Sequence, residues 1–327
     1  MAKYILKRLL SLIPMLLGIT IVSFVLMQLA PGDPAEMFHN PNKGELTIEE
    51  KAEIHKKLGL DQPIYVQYIK WLGQLCQGNF GYSYSNHKAI FPEMMSRVKV
   101  TLQLSVWSLL ISLIGGILIG MYSALHQYQL ADHIISFFTF VGAAIPSFWL
   151  ALMLILVFSL QTNLLPFIGL HSSDSINLTG WAYTWDYIKH LIMPVFVMAF
   201  TNMTGWARYQ RSAFLEVIQQ DYIRTARSKG LSEREINWKH AFRNSALPII
   251  TLMGGSLSGL VGGAFLTETV FSINGMGRYG MDAISKRDYP VIMATIVFSS
   301  VLVMLGNLLS DILYVIVDPR IKYTAKS

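Results

Sequence analysis

Charge is scarce in this chain and cysteine nearly absent. Of 327 residues, 14% are charged and 53% hydrophobic, and the mean hydropathy is +0.43. That is too apolar for an ordinary soluble domain and points to a membrane protein. The single cysteine, Cys76, excludes an internal disulfide framework and reads as an unpaired structural thiol. No Gly-Lys dipeptide occurs, so a Walker A loop is excluded and the chain does not hydrolyse ATP by itself. HExxH, paired CxxC and GxSxG patterns are missing too, which argues against an enzyme. The eight histidines are scattered. His126 and His133 flank a short turn and His190 abuts Lys189, positions read as solvated or capping rather than metal-binding.

What the chain does have is long charge-free runs. Lys3, Lys7 and Arg8 precede Leu9 to Gly32, 24 residues without a charge, enough for a span of about 20 residues. A signal peptide shares the basic start but has a shorter apolar core and a small-residue cleavage pattern, missing here. Pro14 is tolerable inside a span because neighbours satisfy the freed carbonyl. Further spans fit within Thr101 to Leu125, Ile134 to Leu160, Asn244 to Thr267, and Tyr289 to Ser310 and on to Val317. The remaining one, between Lys189 and Arg208, has 18 intervening residues and Pro194. It is expected to continue past Arg208 as a helix leaving the membrane. Six spans put both termini on one side. The amino terminus, the loop after span four and the tail with Arg320, Lys322 and Lys326 share that side, as the positive-inside bias requires. The net charge of +6 therefore sets orientation and does not suggest nucleic acid.

Residues 31 to 98 are polar and punctuated by Pro31, Pro34, Pro41 and Pro63. Thr47 with Glu50 reads as a capping box for a helix through Lys57 that stops at Gly59. Tyr65 to Leu75 is amphipathic at helical spacing. This is a small folded subdomain. Its aromatics (Tyr65, Tyr68, Trp71, Phe80, Tyr82, Tyr84) read as packing and interfacial belt before binding surface.

Gly255, Gly259 and Gly263 recur every four residues in the fifth span, with Gly254, Ser258 and Gly262 as a second row. Such a helix approaches its neighbours closely, either as plain packing or as the wall of a permeation pathway. The GGILIG run at 115 to 120 is a weaker signal of the same kind. Glu268 and Asp311 fall at the margins of spans five and six and read as interface residues that reach headgroups or water.

The longest strongly basic segment between apolar spans is Asp221 to Pro248, DYIRTARSKGLSEREINWKHAFRNSALP. Tyr222, Ala226 and Gly230 fall on one helical face. Gly230 followed by Leu231 is a C-cap signal, since glycine takes the left-handed conformation cheaply. Ser232 and Glu235 then read as a capping box opening a second helix towards Asn244. From Arg208 to Arg243 there are eight Lys or Arg against four Asp or Glu, so this corner belongs in water or against a partner.

This segment resembles the cytoplasmic loop of bacterial ABC-importer permeases, whose pattern is EAA, three residues, Gly, and a later Leu-Pro. Arg224, Thr225 and Ala226 stand where EAA would, Arg227 to Lys229 are the spacer, Gly230 is the glycine, and Leu247-Pro248 closes the motif. Only Ala226 matches the triplet literally, and the distance from Gly230 to Pro248 is long. Both departures resemble the dipeptide and oligopeptide branch, where RTARSKGL followed by HAFRNSALP is usual. The similarity runs from KRLLSLIPMLLGITIVSFVLMQLAPGDP to DPRIKY.

The resemblance implies an all-α polytopic membrane protein with six transmembrane helices in the type I ABC importer permease fold. Residues 1–30 would be the first transmembrane helix with a cytoplasmic N-terminus, 31–98 an external subdomain, 99–317 a five-helix core including a coupling loop at 208–246, and 318–327 a cytoplasmic tail. It implies a bacterial inner-membrane location, a second homologous permease subunit, two ABC ATPases holding ATP and Mg, an external binding protein and a peptide substrate. This chain would bind no cofactor or metal. Tyr222 to Gly230 would make the docking contact, with Arg224, Arg227 and Lys229 as ionic partners, and Leu231, Ser232, Glu235 and Pro248 completing the loop. Near relatives carry nickel chelates, glutathione or sugars, so another small solute is the alternative. A secondary transporter is disfavoured by six spans and no securely mid-membrane carboxylate.

Overall fold

The computed structural model describes residues 2–29, 33, 35, 46–246, 248–249, 252–253, 256 and 265–317. Among these the chain is helical almost throughout, with no strand beyond one isolated bridge, Tyr82 to Ala89. It divides into two units, Met1–Val100 with Gly275–Met304, and Thr101–Asn274 with Leu305–Ser327. Gly255, Gly259 and Gly263 lie outside the described residues, as does the neighbouring small-residue row at 254, 258 and 262.

Small hydroxyl residues are buried inside the helix packing while large apolar side chains face outward. On α4 (Ile90–Leu125), Thr101, Ser105, Ser108 and Ser112 are buried while Trp107, Leu110, Ile111, Ile114 and Leu118 are exposed. Small hydroxyl residues one turn apart allow close helix approach, and the outward apolar face suits hydrocarbon. Among the described residues, three helices are long and apolar enough to cross a membrane: Leu10–Leu29 within α1 (Ala2–Leu29), α4, and Tyr289–Ile312 within the last helix. The pair Leu130–Ala144 and Ser147–Gln161 would make a fourth.

In the first unit, α2 (Ile48–Leu58) carries the expected capping box, with Thr47 accepting from the Glu50 amide and the Glu50 carboxylate accepting from the Thr47 amide. It ends at Gly59 with φ 69°. α3 (Ile64–Cys76) rests on α1: the Phe24 ring lies 5.4 Å from Tyr68 and 6.0 Å from Trp71. Phe80 stacks on Phe91 at 5.4 Å. These aromatics pack, whereas Tyr65 and Tyr82 are exposed. Cys76 is free and exposed. The buried Asp288 carboxylate accepts from the Ser83 hydroxyl at 2.5 Å and from the Tyr84 and Ser85 amides at 3.1 Å, clasping the turn after α3.

The second unit holds α5 (Leu130–Ala144), α6 (Ser147–Leu154, continued by a π-helix Ile155–Gln161), α7 (Gly180–Ile218), α8 (Asp221–Ser228), α9 (Glu233–Glu235), a π-helix Ile236–Ala241, α10 (Phe242–Ser245) and α11 (Phe265–Val270). The GGILIG run is a seam between α4 and α7. A Cβ on Gly116 would sit 2.4 Å from Trp206 Cβ, and one on Gly120 would sit 2.5 Å from the Ala207 carbonyl oxygen. Of the remaining elements, α12 (Met276–Ser285) belongs to the first unit and α13 (Tyr289–Val317) begins in it.

Several expectations need correcting. The run read as one span within Ile134 to Leu160 is two helices bent by 102°. Pro146 lacks an amide and pushes Ile145 out of the helical region, to ψ 124°. α7 begins at Gly180, well before the Lys189 from which the sequence sets the fourth span, and α12 occupies part of the connection between spans five and six. Glu268 is not an interface residue: it is fully buried and accepts a 2.7 Å hydrogen bond from the Thr101 hydroxyl. His190 is not solvated either, being 3% exposed with Nδ1 2.8 Å from the Asp186 carbonyl oxygen. Glu268 is held by a residue 167 positions away and His190 by one four positions away on its own helix, and position at a span margin does not report burial.

Candidate functional site

The basic corner is built from local signals. α8 ends at Ser228 with Lys229 as its C-cap, and Gly230 adopts φ +75°. The Leu231 amide reaches the Ala226 carbonyl at 3.4 Å and the Gly230 amide reaches the Arg227 carbonyl at 2.9 Å. This is a Schellman closure, whose left-handed residue favours glycine. Ser232 caps α9, accepting from the Glu235 amide at 3.3 Å. Only this half of the expected box forms, and the Glu235 side chain does not return to the Ser232 amide.

The underside of the corner is apolar and fixed. Ile223 and Ala226 of α8 and Ile236 and Ala241 of the π-helix bury against Met121 and Ala124 of α4 and Phe214 of α7. Phe214, Ile223, Ile236 and Ala241 are 0% exposed, and each large side chain so buried contributes about 1.5–3 kcal/mol. The buried face is thus Ile223 with Ala226. Tyr222, read with Ala226 on one helical face, is exposed where Ala226 is buried, and its hydroxyl accepts from Asn244 Nδ2 at 2.8 Å.

The upper side is charged. Arg224 is exposed, 3.8 Å from Asp221, and Lys229 is exposed. Arg227 is engaged within the corner, its Nε 2.9 Å and Nη2 3.3 Å from the two Glu233 oxygens. That carboxylate raises the guanidinium's pKa. Arg227 therefore staples the turn, and Arg224 and Lys229 remain as the more open cations. Thr225 donates to the Asp221 carbonyl at 3.0 Å. Pro248 is exposed, and Leu247 lies outside the described residues.

Beneath the corner are two polar ties that sequence reading missed. Asp132, buried in the first turn of α5, takes two 2.8 Å hydrogen bonds from Arg211 of α7, one of 2.5 Å from Ser123 and one of 3.0 Å from the Tyr128 amide. Gln210 Nε2 donates to Ser245 Oγ at 3.0 Å, joining α7 to α10. The available signal is a lone carboxylate at the edge of an apolar run, since such a charge needs a partner when buried.

Apolar-faced spans, polar seams and a solvent-side corner anchored to two of them define a polytopic α-helical membrane protein. The chain belongs to the binding-protein-dependent transport system inner membrane component family. A model of that family matches residues 116–323, and one of the N-terminal part of such membrane components matches residues 1–105. It is 44% identical over 325 residues to the oligopeptide transport system permease protein AppB of Bacillus subtilis, covering 99% of this chain and 100% of that one. It is 38% identical over 336 residues to the dipeptide transport system permease protein DppB of Alkalihalophilus pseudofirmus, covering 99% and 100%. To the di/tripeptide transport system permease protein DppB of Pseudomonas aeruginosa it is 37% identical over 338 residues, covering 99% of each.

Proposed function

We propose that this chain is the permease subunit of an ATP-driven importer that takes up peptides delivered by an external binding protein. The observation that carries the reading is the corner at 221–245, rigidly seated below and basic above, on a chain similar over its whole length to permeases named for peptides. The chain is non-catalytic. It pairs with a second homologous permease, and two ABC ATPases hold the ATP and Mg. The termini and the 208–246 loop face the cytoplasm, and the 31–98 subdomain faces outward. The domain limits follow: 1–30 a first span, 99–317 the transmembrane core, 318–327 a tail.

In mechanism, ATP binding closes the two ATPases against each other, and they push on Tyr222, Arg224, Thr225, Lys229 and the Gly230 turn. Because Ile223, Ala226 and Ile236 are packed against α4 and α7, the push is delivered to membrane helices rather than absorbed locally. Arg227 and the Ser232 cap with Glu235 keep the turn stiff, and Leu231 seals its edge. Hydrolysis then resets the pathway.

Purification in mild detergent followed by mass spectrometry tests this reading. A second permease and P-loop ATPases retained with the chain are expected. A chain recovered alone that still transports when reconstituted would overturn it.

A further inference from the structure

One groove in the second unit sets hydroxyl and carboxamide groups into a mostly apolar lining that includes the exposed Leu266. Its walls are the start of α6, the middle of α7 and α11, with Ser147, Met198, Thr201, Asn202, Phe265 and Thr267 around a cavity of about 350 Å³. That volume lies at the lower end of ligand-pocket sizes, about 300–1,000 Å³.

The position of Asn202 is the informative part. At 1.5 Å per residue it lies about 20 Å along α7 from Lys189 and about 9 Å from Arg208, inside the stretch read as a span. Its side chain is exposed. At about 100° per residue, Met198, Thr201, Asn202, Gly205 and Tyr209 share one face, while the exposed Ile192 and Phe196 share another. A Cβ on Gly205 would meet nothing within 4 Å, so this face has room there, and Asn202 and Tyr209 are its exposed positions. An exposed carboxamide on a spanning helix is disfavoured in hydrocarbon. The Ile192 and Phe196 face suits lipid, and the Asn202 face suits water.

We infer that this groove is a binding surface for the main chain of a translocating peptide, with Asn202 as its central contact. The inference rests on the peptide reading of function. A carboxamide offers two donors and an acceptor, the complement of a peptide unit with its one N–H and one C=O. Asn202 spends one donor on the Met198 carbonyl at 2.9 Å, which orients the group and leaves its oxygen and second N–H for a ligand. Thr201 donates back to the Val197 and Met198 carbonyls, so its oxygen presents acceptor capacity outward. Ser147 follows Pro146 at the 102° bend between α5 and α6, so the break in the span places a hydroxyl at the groove. Among the described residues no charged side chain lines it. Contacts of this type read backbone and tolerate varied side chains, with Met198 and Phe265 as an adaptable apolar floor.

Cysteine chemistry tests the assignment. With Cys76→Ser the chain has no native thiol. Asn202→Cys and, for reference, Ile192→Cys are then introduced singly, and each full complex is reconstituted in vesicles with its binding protein. A thiol reacts as thiolate, which forms in water and not in hydrocarbon, so a charged methanethiosulfonate should modify Asn202→Cys at least about tenfold faster than Ile192→Cys. Gly205→Cys, on the same face, keeps Asn202, and trialanine with ATP should slow its modification several-fold. Equal, slow rates at both sites would overturn the inference. Fast modification unaffected by trialanine, in a complex whose wild type accumulates trialanine, would overturn the peptide contact. A wild-type complex that accumulates no peptide sinks the function reading itself, and the labelling rates still decide whether the groove is wet.

Discussion

Two stretches of this chain use the same local code and are anchored in opposite ways. α2 opens with a full capping box and stops at a left-handed Gly59. The corner at 221–245 stops α8 at a left-handed Gly230 and reopens with a Ser232 cap. Yet α2 has no buried residue and exposes Ile48 to 88%, whereas the corner sinks Ile223, Ala226, Ile236 and Ala241 against two long helices. Caps place an element. Only a buried face lets it transmit force.

The comparison breaks most visibly at that buried face. Phe214→Ala should cost about 3–5 kcal/mol, the usual range for emptying a closed apolar site, seen as a large fall in the thermal unfolding midpoint of the purified complex. Ile48→Ala on α2 should stay within about 0.5 kcal/mol of wild type, as exposed substitutions do. A mild effect at Phe214 would mean that the corner is not seated as described.

Next in size is the tie beneath it. Asp132→Ala leaves the Arg211 guanidinium without its carboxylate and is expected to cost about 3 kcal/mol, the low end for breaking a buried pair because Arg211 is partly exposed. The exchanged pair Asp132→Arg with Arg211→Asp should recover part of the loss. Recovery of nothing would show that Ser123 and the Tyr128 amide, not the charge pair, hold the carboxylate in place.

The two glycines sharpen the contrast further. A Cβ added at Gly59 or at Gly230 would meet no atom within 4 Å, so valine at either meets only the backbone cost of the left-handed conformation, about 1–2 kcal/mol. Equal stability losses are therefore expected. Function should separate them: Gly230→Val abolishes uptake while inserting normally, and Gly59→Val keeps most of it. Normal uptake by Gly230→Val would remove the corner from the mechanism.

How much of this is legible in the sequence follows from the range of each interaction. Gly59, Gly230 and the Thr47 box act within a few residues and are readable directly, as is the start of the last span at Tyr289. Pro146 is also visible, but the apolar run around it masks the break, and Pro14 and Pro194 sit inside unbroken helices. The Asp132 and Arg211 pair is separated by 79 positions, and Glu268 meets Thr101 across 167. No periodicity reports contacts at that distance. Within the corner, Ile223 and Ala226 are covered while Tyr222 and Arg227 stay exposed, Arg227 pairing with Glu233, because the elements packed around α8, not its own spacing, decide which face is covered.

The smallest effect expected is at the caps, and it measures anchoring most directly. Thr47 accepts from the Glu50 amide, and its own amide and hydroxyl are held by the Glu50 carboxylate at 2.9 and 3.0 Å. Ser232 makes the single bond to Glu235. Losing a side-chain cap typically costs about 1 kcal/mol. In α2 nothing buried holds the first turn, so Thr47→Ala should let it open and speed amide exchange there by about fivefold. In the corner, Ile236 and Ala241 hold the following turns in the apolar cluster, and Ser232→Ala should change exchange less than about twofold. Equal acceleration at both caps would mean that the buried underside adds nothing to local order. The transmission of force through Ile223 and Ile236 would then have no physical basis.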